Sequence, residues 1–305
     1  MSQPARRNER EKLMRLALGL MLATAVGAPA AAGPLEGRKS GAEILAATTA
    51  DDWRTLDPEN TLYIELESGR VIVMLSPALG RPHAERMKAL AREKFYDGLS
   101  FYRVIDGFVA QGGDPFEARK TPSVGPIAAQ FEEPADGARF FVLPDKDGFA
   151  RQVGFIDSLP TGFDKKAKTY WHLHCAGAIA LGRSDDKDTA ATEFYIALQP
   201  QRYLDRNMTV FGRVVSGMEK LQALRRVEPP ESEKDDIGEK IVAIRVAADV
   251  PESERTPLEI LRSDRPAFAD FAEARRNRPE AFFYFRPNHL DICQFPLPVR
   301  AKAAP

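Results

Sequence analysis

A mainly β chain that closes into an antiparallel barrel with helices at its ends is the fold class this sequence predicts. Three observations carry that expectation: short alternating apolar runs recur through the middle of the chain, few segments have helical periodicity, and turn-forming residues punctuate it throughout. With 305 residues, 44% hydrophobic and 29% charged, the chain is long enough for one large domain or two ordinary ones around a real core.

The elements follow in order. "TLYIELESGRVIVML" (61–75) gives two alternating runs joined across "ESGR", a hairpin signal. Pro82 suits a first helical turn, and Ala84, Met87, Leu90 and Ala91 recur behind it at helical spacing. "LSFYRVIDGFVAQGGD" (99–114) reads as two short strands interrupted at Asp106 and Gly107. From Pro115 to about His174 the pattern weakens into an elaborated loop region, dense in Pro, Gly, Asp and Lys, whose apolar islands suit surface hairpins. "CAGAIALGRS", "TEFYIAL" and "MTVFGRVVSG" restore strand character, "GMEKLQALRRV" reads as a short helix, and "EKIVAIRVAADV" as a closing strand. Beyond Pro251, "PAFADFAEARRNRPE" suits a short amphipathic helix, and "AFFYF" with "HLDICQFPLPV" reads as strand or extended packing in a docking tail.

The N-terminus is a separate matter. Basic "MSQPARRNEREKLMR", apolar "LALGLMLATAV" and small-residue "GAPAAAG" are the three parts of an export signal over 1–32, cleaved near Ala32 and followed by a tether over 33–52 with room for one short helix. The apolar stretch is too short and too rich in Ala and Gly for a membrane span, and no Cys follows it for lipid attachment, so export to the periplasm without stable membrane insertion is expected. Removing five Lys/Arg and two Asp/Glu with the signal leaves about four net negative charges, which gives no support to nucleic-acid binding.

Cys175 and Cys293 both fall in the exported portion, where pairing is favoured over two free thiols. The bond would tie the C-terminal tail to the middle of the chain. His172 and His174 alternate beside Cys175, as His289 and Asp291 do before Cys293, which raises a zinc site. Zinc would compete with the disulfide for the same sulfurs, and no metal is expected. "QGGD" and "GRVVSG" are too sparse in glycine for a phosphate cradle, and no nucleophile–base pairing is evident.

Arg103 stands out because Phe101, Tyr102, Val104, Ile105, Phe108 and Val109 surround it. A guanidinium on such a wall needs a fixed polar partner or contact with water.

"FYRVIDGFVAQGGD", "GAIALGR", "TEFYIAL" and "YLDRNMTVFGRVVSGMEKLQAL" resemble, in order and spacing, the core motifs of cyclophilin-type peptidyl-prolyl cis-trans isomerases. The resemblance runs from about Thr61 to Asp249, broken by a loop region (115–176) longer than most members carry. It implies an eight-stranded antiparallel barrel capped by two helices within 53–250, with a C-terminal extension over 251–305 docking on it. It also implies isomerisation of X-Pro bonds in unfolded or exported polypeptides, with no cofactor. Arg103 matches the catalytic arginine and Gln111 the glutamine that orients substrate and arginine; Phe108, Val109, Tyr195 and Leu204 match the proline pocket. Phe101 and Phe211 also match, but read as core.

Departures accompany the match. Val109 stands where Met is common, Gly182, Arg183 and Ser184 where the groove has Ala-Asn-Ala, Tyr203 for a tryptophan, Met208 for a histidine, and Tyr195 for Phe. The Tyr195 hydroxyl is expected to hold a water at the pocket rim or to weaken proline binding, reducing turnover without abolishing it. The changes at Arg183, Tyr203 and Met208 motivate one rival reading, a chaperone that holds proline-containing segments without turning them over; the long loop and tail motivate another, an envelope scaffold.

Overall fold

The computed structural model describes residues 37–134, 137–230 and 237–302, so the export signal read over 1–32 lies outside the described residues. The described chain begins with α1 (Gly41–Ala46), which is started by a capping box. The Glu43 backbone N–H donates to the Ser40 hydroxyl, and the Ser40 N–H donates to the Glu43 carboxylate. Where the sequence suggests a tether, α1 packs on the C-terminal helix, and β1 (Trp53–Thr55) joins a small sheet.

β2 (Thr61–Leu66) and β3 (Gly69–Leu75) form the expected hairpin. Leu62, Ile64, Val71, Val73 and Leu75 point into the barrel, while Tyr63, Ile72 and Met74 face outward onto a second apolar cluster. With both faces covered, these strands read as nearly continuous apolar runs. α2 (Arg81–Arg92) follows with Pro82 in its first turn, and Ala84, Met87, Leu90 and Ala91 seal one barrel end.

β4 (Ser100–Val104) and β5 (Val109–Gly113) come next. The weakly patterned stretch then contains a four-stranded antiparallel sheet of β6 (Phe140–Leu143), β7 (Gln152–Ile156), β8 (Leu159–Asp164) and β9 (Thr169–His172). Its alternation is hidden in the sequence because Gly154, Pro160 and Gly162 interrupt it. Gly162 is required by close packing: a Cβ there would meet the Trp171 ring at 2.5 Å.

β10 (Ala178–Leu181), β11 (Phe194–Ala197), β12 (Val210–Ser216), α3 (Met218–Ala223) and β13 (Glu239–Val246) complete the barrel. Its closed order is β10-β11-β5-β4-β13-β2-β3-β12, eight strands, every pair antiparallel. Phe101 and Phe211 are fully buried inside it, as read from the sequence.

The remaining chain builds a second layer. β14 (Leu258–Leu261) lies between β1 and β15 (Val299–Ala301), so the two ends of the described chain share one sheet. α4 (Pro266–Arg276) carries Phe268 into a cluster with Phe155 and Phe295, ring centroids 4.8 to 5.0 Å apart. Cys175 is bonded to Cys293 across 118 residues of sequence. Nearby, the Arg276 guanidinium grips Asp145; burial alone would raise that carboxyl, but the hydrogen bonds and charge of Arg276 together with the Leu290 N–H hold it below its usual range. "AFFYF" forms no strand, and Phe282 and Phe285 are exposed while Phe268 and Phe271 are buried.

Replacing both cysteines by serine releases this cross-link and is expected to lower stability by about 2–5 kcal/mol, read from urea melts. Phe268→Ala empties the centre of the aromatic cluster and is expected to remove about 3–5 kcal/mol by the same measurement.

Candidate active site

The site begins with a fault in strand pairing. Ser100 faces Gly113, yet Arg103 faces Gln111, so β4 contains one more residue than its partner over the same stretch. Phe101 and Val104 both turn into the barrel core, which residues three apart in a regular strand cannot do. The bulge leaves Tyr102 and Arg103 both on the outer face, where they line one groove of about 500 Å3.

Arg103 is half-buried there, with its guanidinium 5.3 Å from the centroid of Phe108. Its Nη1 donates to Gln111 Oε1 at 3.2 Å, and Gln111 Nε2 donates to the Tyr102 hydroxyl at 2.5 Å. Among the described residues no carboxylate pairs with Arg103, so its remaining donors are available to a guest. Alternate residues of β5, β10, β11 and β12 pave the adjoining apolar slot: Val109, Ala178, Ala180, Tyr195, Ala197 and Val210, with Phe108, Leu204 and Met208 at its edge. Gly182 and Arg183 line the same groove. Arg183 is tied down, donating to the carbonyls of Asn207 and Ser184.

Tyr203 is the exception among the site residues read from sequence. It is 59% exposed and lines a neighbouring depression with Phe149, Arg202 and Arg206. The cause is the tight turn Arg202–Leu204, whose side chains project about 120° apart. With Leu204 facing the slot and Arg202 buried, Tyr203 points outward.

The Tyr195 hydroxyl is neither at the rim nor unpaired. It donates to His174 Nε2 at 3.0 Å, while His174 Nδ1–H and the His174 backbone N–H both donate to Asp205. Asp205 in turn accepts from Arg202 Nε, and Arg202 makes two 2.8 Å hydrogen bonds to Asp147. Burial pushes the Asp147 carboxyl up, but the hydrogen bonds and charge of Arg202, together with the Phe149 and Ala150 N–H groups, hold it below its usual range. His174 is therefore part of a buried network under the slot. His172 is held between Thr161 and Ser76, and burial lowers it to about 4, which keeps it neutral. Among the described residues no group of three or more His, Cys, Asp or Glu is placed to hold a metal.

Sequence reasoning missed Tyr102 and Glu193. Glu193 borders the groove, accepts the Asp114 backbone N–H at 2.5 Å, and is pushed up to about 7 by burial. The available signal was a lone acid leading into the buried strand "FYIA".

Residues 61–246 match the family described as cyclophilin type peptidyl-prolyl cis-trans isomerase/CLD. The chain is similar to a probable peptidyl-prolyl cis-trans isomerase of Brucella suis, 30% identical over 193 residues, covering 63% of this chain and 85% of that one. It is also similar to peptidyl-prolyl cis-trans isomerase B of Bacillus subtilis, 33% identical over 162 residues, or 52% of this chain and 86% of that one. Among solved structures, a cyclophilin from Hirschia baltica superposes with a TM-score of 0.69 at 24% identity, over 88% of this chain and 100% of that one. That likeness concerns the fold, and it reaches past the barrel into the second layer.

Arg202→Ala strands two buried carboxylates and is expected to cost about 3–5 kcal/mol at neutral pH. Asp147 is held below its ordinary 3.8, so its contribution is full above that value and fades as pH falls through the depressed one. Urea melts of both proteins should therefore differ most near neutrality and converge in acid.

Proposed function

The chain belongs to the cyclophilin-type peptidyl-prolyl cis-trans isomerases, and from that premise we propose that Arg103 is its electrostatic catalyst and that its clients are exported polypeptides. The X-Pro amide resists rotation with a barrier of roughly 20 kcal/mol because its nitrogen lone pair is conjugated to the carbonyl. Twisting returns that pair to the prolyl nitrogen. A proline ring seated in the slot between Val109, Tyr195 and Leu204 brings that nitrogen toward the guanidinium. A donor there binds the twisted amide more tightly than the planar one, and that difference accelerates the turn. Gln111 keeps the fork oriented. Gly182, Arg183 and Met208 contact the flanking peptide, and Tyr203 serves only a chain long enough to leave the groove.

One observation carries the reading: a guanidinium anchored by a hydrogen bond to Gln111, with no paired carboxylate among the described residues, stands beside an apolar slot of the right kind. Export rests on the basic, apolar and small-residue order of the first 32 residues.

Arg103→Ala is expected to lower kcat/KM on an X-Pro peptide by about 100- to 1,000-fold with the melting temperature unchanged. Arg103→Lys should not restore it, because a point ammonium lacks the planar fork. Unchanged turnover in the folded alanine variant would end this mechanism. Expression of the full chain in a Gram-negative host should place it in the periplasmic fraction with its mature N-terminus near residue 33; an intact N-terminus in the cytoplasm would remove the export claim.

A further inference from the structure

Glu193 has no part in the chemistry above, yet it stands on the groove wall behind the residues that orient Arg103. A hydrogen-bond count leads to it. Arg103 donates to Gln111 Oε1, and Gln111 Nε2 donates to the oxygen of Tyr102. Tyr102 is buried, so the one proton on its hydroxyl needs an acceptor, and the group facing it is the Glu193 carboxyl. One carboxyl oxygen, Oε1, is already taken by the Asp114 backbone N–H. The other, Oε2, is buried with no hydrogen-bond partner among the described residues, which leaves it free to take the Tyr102 proton.

The packing leaves this carboxyl little room. A Cβ on Gly113, whose φ is +144°, would run into it, and a Cβ on Gly182 would meet Glu193 Cβ at 3.3 Å and Gln111 Nε2 at 3.8 Å. Two glycines thus let backbone close on both the acid and the amide it would govern.

We propose that Glu193 is a positioning residue which, acting through Tyr102 and Gln111, holds the Arg103 fork toward the bond being turned and makes isomerisation rise with pH near neutrality. The proposal rests on Arg103 being the catalyst. The ionised carboxylate is acceptor-only, so it draws the Tyr102 proton; Tyr102 then accepts from Gln111 Nε2, and Gln111 Oε1 faces the guanidinium. A protonated carboxyl, with Oε1 held by the Asp114 N–H, carries its proton on Oε2 and donates to Tyr102. It then competes with Gln111 for the same oxygen, and the amide loses the contact that fixes which end faces Arg103. Burial, then Asp114 and Glu117, push the carboxyl up, Tyr102 and the Asp114 N–H push it down, and the balance is about 7. The other charged groups lining this groove are Arg103 and Arg183.

The test uses the mature protein and an X-Pro peptide without titratable groups. In the wild type, kcat should rise about tenfold from about pH 6 to about pH 8 with KM nearly constant, as expected when orientation of a catalytic group is at stake. Glu193→Gln cannot ionise and should stay at the low level throughout; Tyr102→Phe leaves the acid intact but cuts the relay, and should be equally flat. The Gln111 side-chain amide signals in a two-dimensional NMR spectrum give a readout independent of turnover: a transition near pH 7 in the wild type, absent from both variants. A pH step in kcat that survives Glu193→Gln, or Gln111 signals without that transition, overturns the relay. Absent turnover in the wild type at every pH, with the Gln111 transition present and lost in both variants, would sink the catalytic role of Arg103 and uphold the relay.

Discussion

The extra residue in β4 is the constraint on which the rest of the groove depends. A regular strand between Phe101 and Val104 could bury both only by breaking the alternation of faces, and the bulge does this by turning two consecutive side chains outward. That is how a strand committed to the barrel core also presents an arginine. The neighbouring strands keep strict alternation: Ala110, Phe194 and Ile196 fill the interior, and Val109, Tyr195 and Ala197 pave the slot on the other side of the same sheet. Core and site are thus two faces of one set of strands, and loosening the first blurs the second.

Beneath the slot the usual wisdom about buried charge is satisfied by pairing. Asp147, Arg202, Asp205 and His174 form an unbroken chain in which each charged group meets its opposite, ending on the Tyr195 hydroxyl. Tyr195 can therefore turn an apolar face to the slot while its polar atom is satisfied from below. The substitution of Tyr for Phe in the slot, which looks like a liability in the sequence alone, is matched by a histidine placed to receive it.

What the sequence made legible was local or motif-borne. The β2–β3 hairpin and α2 follow from periods of two and of about 3.6 within single short windows, and Arg103, Gln111 and the slot residues follow from blocks of consecutive residues. What it hid depends on partners far apart. Strands β6 to β9 are only four to six residues long and are interrupted by glycine and proline whose reason, such as the Trp171 ring over Gly162, lies across the sheet. His174 and Asp205 are 31 residues apart, and Tyr102 lies on β4 while Glu193 sits just before β11, so no window contains either pair. The outward turn of Tyr203 is set by the phase of a single tight turn, which spacing along a motif does not reveal.

Asp147, which anchors the network under the slot, sits in the same inter-strand region as Asp145, which clasps α4 and receives the Leu290 N–H. His174 likewise adjoins Cys175, the attachment point of the tail. The floor of the groove and the moorings of the C-terminal segment are therefore laid on the same two short stretches of backbone. An engineer cutting at the end of β13 to obtain a minimal catalyst would be removing a buttress of the working surface, and this barrel is poorly suited to being handled as a detachable cassette.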